Sequence, residues 1–153
     1  MNKTRFLTHA AIIAALYAAL TILLAPISYG QIQVRVSEAL TILPFFTSAA
    51  IPGLFVGCLL ANIYGGNGLP DIVFGSLATL LAAFLSYKMP KKYLVPLPPV
   101  IINAVVVGLI LNYVLKVPLF AAMGWVAFGQ TVACYGLGYP LILFLEKYRH
   151  KIF

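Results

Sequence analysis

Long apolar stretches, separated only by short breaks of Gly, Pro, Asn and Lys, make up most of this chain of 153 residues. Hydrophobic residues account for 63% of the sequence and charged residues for 8%, and the mean hydropathy is +1.03. Such a chain has too little polar surface to face water on all sides. The sequence therefore predicts an all-α, polytopic membrane protein, with a single integral-membrane domain over residues 1–153.

The apolar stretches define six candidate membrane spans, since one crossing needs about 20 helical residues. The segment 36–64 is too long for one span and short for two, and Pro44 and Pro52 interrupt it. We interpret it as two short or tilted helices, with a re-entrant pair as the alternative. The prediction is a six-transmembrane-helix bundle with spans at 10–27, 37–46, 51–63, 71–87, 94–115 and 120–145.

Basic residues are unevenly distributed between the two ends of these spans. With six crossings, eight of the ten lysines and arginines fall on the side of the termini, whereas Arg35 and Lys116 fall on the other side. Cytoplasmic loops carry the excess of Lys and Arg in membrane proteins. The sequence therefore predicts a multi-pass protein of the plasma membrane with both termini in the cytoplasm.

Polar residues outside the basic loops gather toward the opposite, outward end of the spans. Only three acidic residues occur in the chain, and two of them lie in apolar surroundings. An ionisable group at the centre of a membrane helix costs about 2.5–3.5 kcal/mol, so it is kept for pairing or for ligand binding. Gln31, Gln33, Asn67 and Asn112 belong to this outward set. The candidate substrate-binding residues are Arg35, Glu38, Asn62, Asp71, Asn103 and Gln130.

Each candidate also has a purely structural interpretation. Arg35 and Glu38, three residues apart, would neutralise each other across one helical turn. Asp71 would cap the helix that it begins, and Asn62 would satisfy loop carbonyls. Asn103 and Gln130 would form hydrogen bonds between helices. The sequence leaves the choice between these roles and ligand binding open.

Motifs for catalysis or cofactor binding are weak in this sequence. It contains no HExxH, no GxSxG and no GxxxxGK[ST] loop. Cys58 and Cys134 lie in different apolar segments without a CxxC pattern, so we predict no metal site. No cofactor is expected in this chain, and active transport would draw its energy from partners or from an ion gradient.

Alanines crowd the first predicted span in two series with a spacing of four residues. Small residues at this spacing allow another helix to approach closely. The partner helix belongs either to this bundle or to another protein. The candidate docking residues are Ala14, Ala15, Ala18 and Ala19.

The alanine-rich first helix, the polar first outer loop and the proline-broken second and third helices together resemble the S components of energy-coupling factor (ECF) transporters. More specifically, the chain is similar to the QueT family of queuosine-precursor transporters over residues 31–83. The stretches that carry this similarity are RVSEALTILPFF (35–46), AIPGLFVGCLLAN (50–62) and DIVFGSLATLL (71–81).

The resemblance implies a subunit for micronutrient uptake that binds its substrate from outside. It implies docking, through the alanine faces of the first helix, onto one membrane coupling subunit and two cytoplasmic ATPases that use ATP. The implied substrate is a deazaguanine such as queuine or aminomethyl-deazaguanine, held by Glu38, Asp71 and the neighbouring amides. Two alternatives are a small membrane enzyme acting on a lipid or its head group, with Glu38 as base, and a structural membrane subunit.

Overall fold

A bundle of helices, without strands, is formed by residues 2–30 and 32–153, which the computed structural model describes. The prediction of an all-α polytopic fold is therefore confirmed. Between the α-helices lie 3₁₀ helices at Val36–Phe45 and Lys92–Leu94 and π-helical segments at Asp71–Gly75 and Val132–Gly138. The α-helices are α1 (Lys3–Leu23), α2 (Ala25–Ser28), α3 (Ala50–Gly65), α4 (Ser76–Tyr87), α5 (Leu97–Leu115), α6 (Leu119–Thr131) and α7 (Tyr139–Ile152).

Three continuous helical segments are long and apolar enough to cross a membrane by themselves. They are Lys3–Leu23, Lys92–Leu115 and Leu119–Ile152, whereas Val36–Phe45, Ala50–Gly65 and Asp71–Tyr87 are shorter. The last segment joins α6 and α7 through a π-helical turn, so it continues beyond the predicted end at residue 145. The prediction of two short helices after the first span agrees with these lengths.

In the described residues, six helical passes run between the two ends of the bundle. They are α1, the 3₁₀ helix Val36–Phe45, α3, the segment Asp71–Tyr87, α5 and the segment Leu119–Ile152. At one end, a cavity is lined by His9, residues 45–48, Tyr87, Arg149 and Phe153. At the other end, a second cavity is lined by Tyr29, Gly30, Gln33, Asn67, Asp71 and the last turns of α5. The two termini therefore lie at the same end, which also carries most of the lysines and arginines.

The second pass is a 3₁₀ helix over Val36–Phe45 rather than an α-helix. A 3₁₀ helix rises about 2.0 Å per residue, against 1.5 Å in an α-helix, so ten residues extend about 20 Å. Pro44 lies inside the segment and lacks the backbone N–H of a regular helix. The Thr41 hydroxyl donates a hydrogen bond to the Glu38 carbonyl at 2.6 Å. The stretched helix lets a short segment reach across much of the bundle.

Close packing of α1 against α3 depends on small residues in both helices. A Cβ atom added to Gly53 would lie 2.7 Å from the Ala10 carbonyl oxygen, and one added to Gly57 would lie 2.8 Å from that of Ala14. Ala14 and Ala18 are buried. One alanine face of α1 is therefore used inside the bundle, where α3 covers it.

The first expected outcome concerns this contact. Gly57→Ala should lower the free energy of unfolding by about 1–3 kcal/mol, because the added methyl group meets the backbone of α1 and the Cβ atom of Tyr17. Gly124→Ala is the matched control, since nothing lies within 4 Å of a Cβ added there. Thermal unfolding of the purified protein in detergent measures both. Equal stability of the two variants would contradict this account of the α1–α3 contact.

Candidate functional site

A buried carboxylate, that of Glu38, lies between α1 and the 3₁₀ helix Val36–Phe45. The residue is 1% exposed. The Tyr17 hydroxyl donates a hydrogen bond to Oε1 of Glu38 at 2.5 Å, whereas Oε2 has no hydrogen-bond partner among residues 2–30 and 32–153. One oxygen of this carboxylate is thus oriented by a side chain of α1.

An ion pair joins the start of the 3₁₀ helix to the start of the fourth pass. Arg35 Nη2 lies 3.6 Å from Asp71 Oδ2, and both side chains are almost fully buried. Arg35 Nε also donates to the Ser28 carbonyl at 3.3 Å, and the guanidinium carbon lies 5.5 Å from the centroid of the Tyr29 ring. These contacts fasten the first loop onto the bundle.

In the described part of the chain, Arg35 and Glu38 do not form a direct ion pair with each other. Arg35 pairs with Asp71, which is distant in sequence, and the closest hydrogen-bond donor to Glu38 is Tyr17. Asp71 likewise makes no side-chain capping bond at its helix start. Its carboxylate accepts instead from Asn67 Nδ2 at 3.2 Å. Spacing along one helix did not reveal these partners, because they come from other elements.

Asn62 connects α3 to the fourth pass. Its Nδ2 donates to the Asp71 carbonyl at 3.0 Å and to the Ser76 hydroxyl at 3.3 Å. Gly75 makes room for this contact, since a Cβ there would lie 2.9 Å from Asp71 Oδ1 and 3.1 Å from Asn62 Nδ2. Asn62 therefore satisfies a backbone carbonyl, as its structural interpretation expected, while its own Oδ1 has no hydrogen-bond partner among the described residues.

Gln130 and Asn103 are both buried in the second half of the bundle. Gln130 is a close neighbour of the Glu38 carboxylate, and its Oε1 lies 3.5 Å from the Cys134 thiol that donates to it. Asn103 Oδ1 has no hydrogen-bond partner in the described part of the chain. The structure thus brings Gln130 to Glu38, but it shows no side-chain hydrogen bond from Asn103 to the other candidates.

Buried polar atoms that make no hydrogen bond are concentrated among the candidate residues; Arg35 Nη2 is one of them, although it also forms the longer ion pair with Asp71. Buried polar groups in folded proteins nearly always have a hydrogen-bond partner. In residues 2–30 and 32–153, five buried side-chain nitrogen or oxygen atoms have none, and four of them belong to candidates. They offer one charged donor and three acceptors. The four atoms are Arg35 Nη2, Glu38 Oε2, Asn62 Oδ1 and Asn103 Oδ1.

A cavity of about 250 Å³ opens at the end of the bundle opposite the termini. Polar side chains of Gln33, Asn67 and Asp71 line it, together with Tyr29 and aliphatic residues of α5. The Tyr29 hydroxyl donates to the Ala61 carbonyl at 2.5 Å, and burial raises the pKa of this phenol. Asp71 lines the cavity and pairs with Arg35, which precedes Glu38 by three residues.

Two residues of this region, Tyr17 and Gln33, are not among the site candidates predicted from the sequence. Tyr17 holds Glu38, and Gln33, which was placed only in the outward polar set, lines the cavity. A signal for Tyr17 exists, because Tyr17 and Thr21 fall on the same face of α1 as Ala14 and Ala18. In a membrane helix, such a polar and small-residue face points into the bundle. Gln31 lies outside the described residues.

The four candidate docking alanines divide between two environments. Ala14 and Ala18 are buried against the rest of the bundle, so they are not on the exposed face of α1. Ala15 and Ala19 are exposed. The two alanine series, each with a spacing of four residues, lie on different faces of α1. The contact with α3 determines which of these faces remains exposed.

Comparison with known proteins adds a family to this geometry. The model of the QueT transporter family matches residues 7–147. The chain belongs to the QueT transporter family. The queuosine precursor transporter QueT of Lactococcus lactis subsp. cremoris (strain MG1363) is 41% identical over 87 residues, which are 56% of this chain and 50% of that protein. The match thus spans about half the length of this curated relative. No solved structure matches.

Membership in this family decides between two interpretations of the buried carboxylate. A QueT transporter family member is a transport protein and not an enzyme. The alternative in which Glu38 acts as a catalytic base on a lipid is therefore rejected. We therefore interpret the buried polar atoms as groups that bind a ligand or orient neighbouring side chains.

The second expected outcome tests the ion pair of Arg35. Arg35→Gln should lower the free energy of unfolding by about 3–5 kcal/mol, because it leaves the buried Asp71 carboxylate without its cation. Lys92→Gln breaks the exposed pair with Glu146, 2.8 Å apart, and should leave stability nearly unchanged. Unfolding in detergent measures both. Similar losses in the two variants would show that the Arg35–Asp71 pair has no special structural role.

Proposed function

We propose that this chain is the substrate-binding S component of an ECF importer and captures a queuosine precursor from outside the cell. The substrate would be a deazaguanine such as queuine or aminomethyl-deazaguanine. The observation that carries the proposal is the Glu38 carboxylate, which is buried, oriented by Tyr17 and unpaired at Oε2. The name of the Lactococcus relative, queuosine precursor transporter, supports the same substrate class.

The edge of a guanine-like ring presents adjacent N–H donors, which one carboxylate accepts as a pair of charge-assisted hydrogen bonds. Glu38 Oε2 is unpaired, and Oε1 keeps accepting capacity beside its bond from Tyr17 because each carboxylate oxygen has two lone pairs. Arg35 Nη2 is a donor suited to the ring carbonyl. The free oxygens of Asn62 and Asn103 would accept the remaining N–H groups.

The outer cavity is the proposed access to these groups. Its volume of about 250 Å³ lies just below the range of about 300–1,000 Å³ typical of sites for drug-sized ligands, so it suits a small ring system. Asp71 lines the cavity and also pairs with Arg35. We propose that Asp71 holds the cationic aminomethyl group where the substrate carries one.

The proposed arrangement in the membrane has six crossings, with both termini in the cytoplasm. The six passes between the two ends of the bundle and the excess of basic residues at the end of the termini support it. The proposed partners are the ECF coupling subunit, which would contact the exposed alanines of α1, and two ATPases. These ATPases would use the ATP, since this chain has no P-loop.

The third expected outcome concerns Glu38. Glu38→Gln should weaken the binding of the preferred deazaguanine by about 2–5 kcal/mol, because an amide N–H would face the N–H groups of the ligand. Glu146→Gln removes an exposed carboxylate and should bind like the parent. Calorimetry with queuine, aminomethyl-deazaguanine and cyano-deazaguanine measures the affinities. Unchanged affinity in a folded Glu38→Gln variant would place the site at Asp71, Asn103 and Gln130 instead.

The fourth expected outcome concerns docking. Ala15→Trp combined with Ala19→Trp should retain ligand binding but abolish uptake, because bulk on the exposed face of α1 keeps a partner helix away. Gly124→Trp places the same side chain on an exposed position of α6 and should leave uptake intact. Uptake in cells that carry the complete transporter, with binding measured in parallel, separates the two effects. Normal uptake by the double variant would remove α1 as the docking surface.

The fifth expected outcome concerns orientation. In a variant without Cys58 and Cys134, a single cysteine at position 116 should react with a membrane-impermeant thiol reagent added to intact cells. A cysteine at position 90 or 150 should react only after the membrane is opened. External labelling at either of these two positions would contradict the six-crossing arrangement.

A further inference from the structure

The cavity at the basic end of the bundle, where the two termini lie, is distant from the proposed substrate site. It has a volume of about 590 Å³ and is mainly polar. The side chains of His9, Thr47, Ser48 and Arg149 line it, at the junction of α1, the turn before α3, and α7. His9 Nδ1 is buried and has no hydrogen-bond partner in the part of the chain that the structure describes. None of these groups is used in the proposed capture of a substrate at the other end.

An apolar groove of about 340 Å³ continues from this cavity along the side of the bundle. His9 and Phe153 line both the cavity and the groove. Phe153 stacks on Phe46 at a centroid distance of 5.6 Å, and the His9 ring meets its edge at 6.2 Å. This aromatic group marks the boundary between the polar and apolar parts. The groove itself is lined by Ile12, Leu16, Leu40, Leu43, Leu141 and Leu145.

The groove opens on the outer surface of the bundle, where Ile12 is 52% and Leu16 is 49% exposed. In a membrane protein this surface faces acyl chains. A polar pocket with an arginine at one end and a groove for a hydrocarbon chain at the other match the two parts of a phospholipid. Basic pockets between helices on the cytoplasmic side are a recognised form of head-group site.

The charge around the pocket favours an anionic head group. Five basic residues begin α1 or end α7 at this end of the bundle, whereas the nearby Glu146 is already paired with Lys92. The Thr47 and Ser48 hydroxyls add hydrogen-bond donors beside Arg149. A zwitterionic head group would bring its own cation into this positive region. The five basic residues are Lys3, Arg5, Lys147, Arg149 and Lys151.

We propose that the cavity at His9 and Arg149, together with the adjoining groove between α1, the 3₁₀ helix and α7, binds one anionic phospholipid. The phosphate lies against Arg149 and the hydroxyls of Thr47 and Ser48. One acyl chain lies in the groove. The site joins the two termini of the chain through one lipid, and it is independent of which substrate is transported.

The test uses the purified full chain in a neutral detergent and its thermal unfolding. Phosphatidylglycerol should raise the melting temperature in a saturable manner, whereas phosphatidylcholine with the same acyl chains should have a much smaller effect. Sodium phosphate at the same concentration should have no effect, because it does not fill the groove. Equal stabilisation by the two lipids, or full stabilisation by phosphate alone, would overturn the proposal.

Two matched pairs of variants locate the lipid. Arg149→Gln should weaken the apparent affinity for phosphatidylglycerol about fivefold, the effect of one basic residue near an anionic lipid surface. Arg5→Gln removes the same charge at the same end but outside the pocket, and should have less than half of this effect. Leu16→Trp fills the groove and should also weaken binding, whereas Leu81→Trp, at a similarly exposed position on α4, should not. Melting without lipid shows whether each variant is folded.

The variant at Leu16 also separates a lipid from a protein occupant. If Leu16→Trp prevents co-purification with the coupling subunit but leaves the stabilisation by phosphatidylglycerol unchanged, a partner helix occupies the groove and the proposal is wrong. Equal affinities of the two arginine variants would show only a general attraction of lipid to the basic end. Equal affinities of the two leucine variants would show that the acyl chain does not lie in the groove. Either result would overturn the proposal.

Discussion

The buried ion pair between Arg35 and Asp71 is the interaction on which the arrangement of the polar site depends. It joins the start of the 3₁₀ helix to the start of the fourth pass, and Arg35 also holds the Ser28 carbonyl and contacts Tyr29. A buried charge without a partner is strongly destabilising in a protein interior. Because Arg35 forms its ion pair with Asp71, the Glu38 carboxylate accepts its hydrogen bond from Tyr17 instead. Its second oxygen makes no hydrogen bond among the described residues.

The 3₁₀ helix adapts the chain to this arrangement. Its ten residues extend farther than an α-helix of equal length, and seven of them are buried. Gly138 follows the backbone of this segment closely, since a Cβ there would lie 3.3 Å from the Ala39 carbonyl oxygen. The segment is therefore enclosed by the bundle, and it carries Glu38 to the interior within a short length of chain.

The two ends of the bundle are chemically different. At the end opposite the termini, the polar atoms are few, buried and partly unpaired, which suits selective binding of a small polar molecule. At the end of the termini, basic side chains are numerous and exposed, and a polar cavity continues into an apolar groove. The first environment favours specific recognition, and the second favours association with an anionic membrane surface.

The sequence by itself determined the all-α membrane fold, the short second and third passes, and the uneven distribution of charge. These are properties of composition and of the spacing between breaks, so they do not depend on how the helices are rotated. It also identified most of the unpaired buried groups, because polar residues in apolar segments are costly and few.

Only the tertiary structure decided which groups meet. Helix rotation determined that Ala14 and Ala18 lie inside while Ala15 and Ala19 remain exposed. Contacts between distant segments gave Arg35 the partner Asp71 and gave Glu38 the partner Tyr17. A spacing of three or four residues predicts neighbours along one α-helix. It does not predict partners that come from other helices, and this is why these pairings could not be obtained from the sequence.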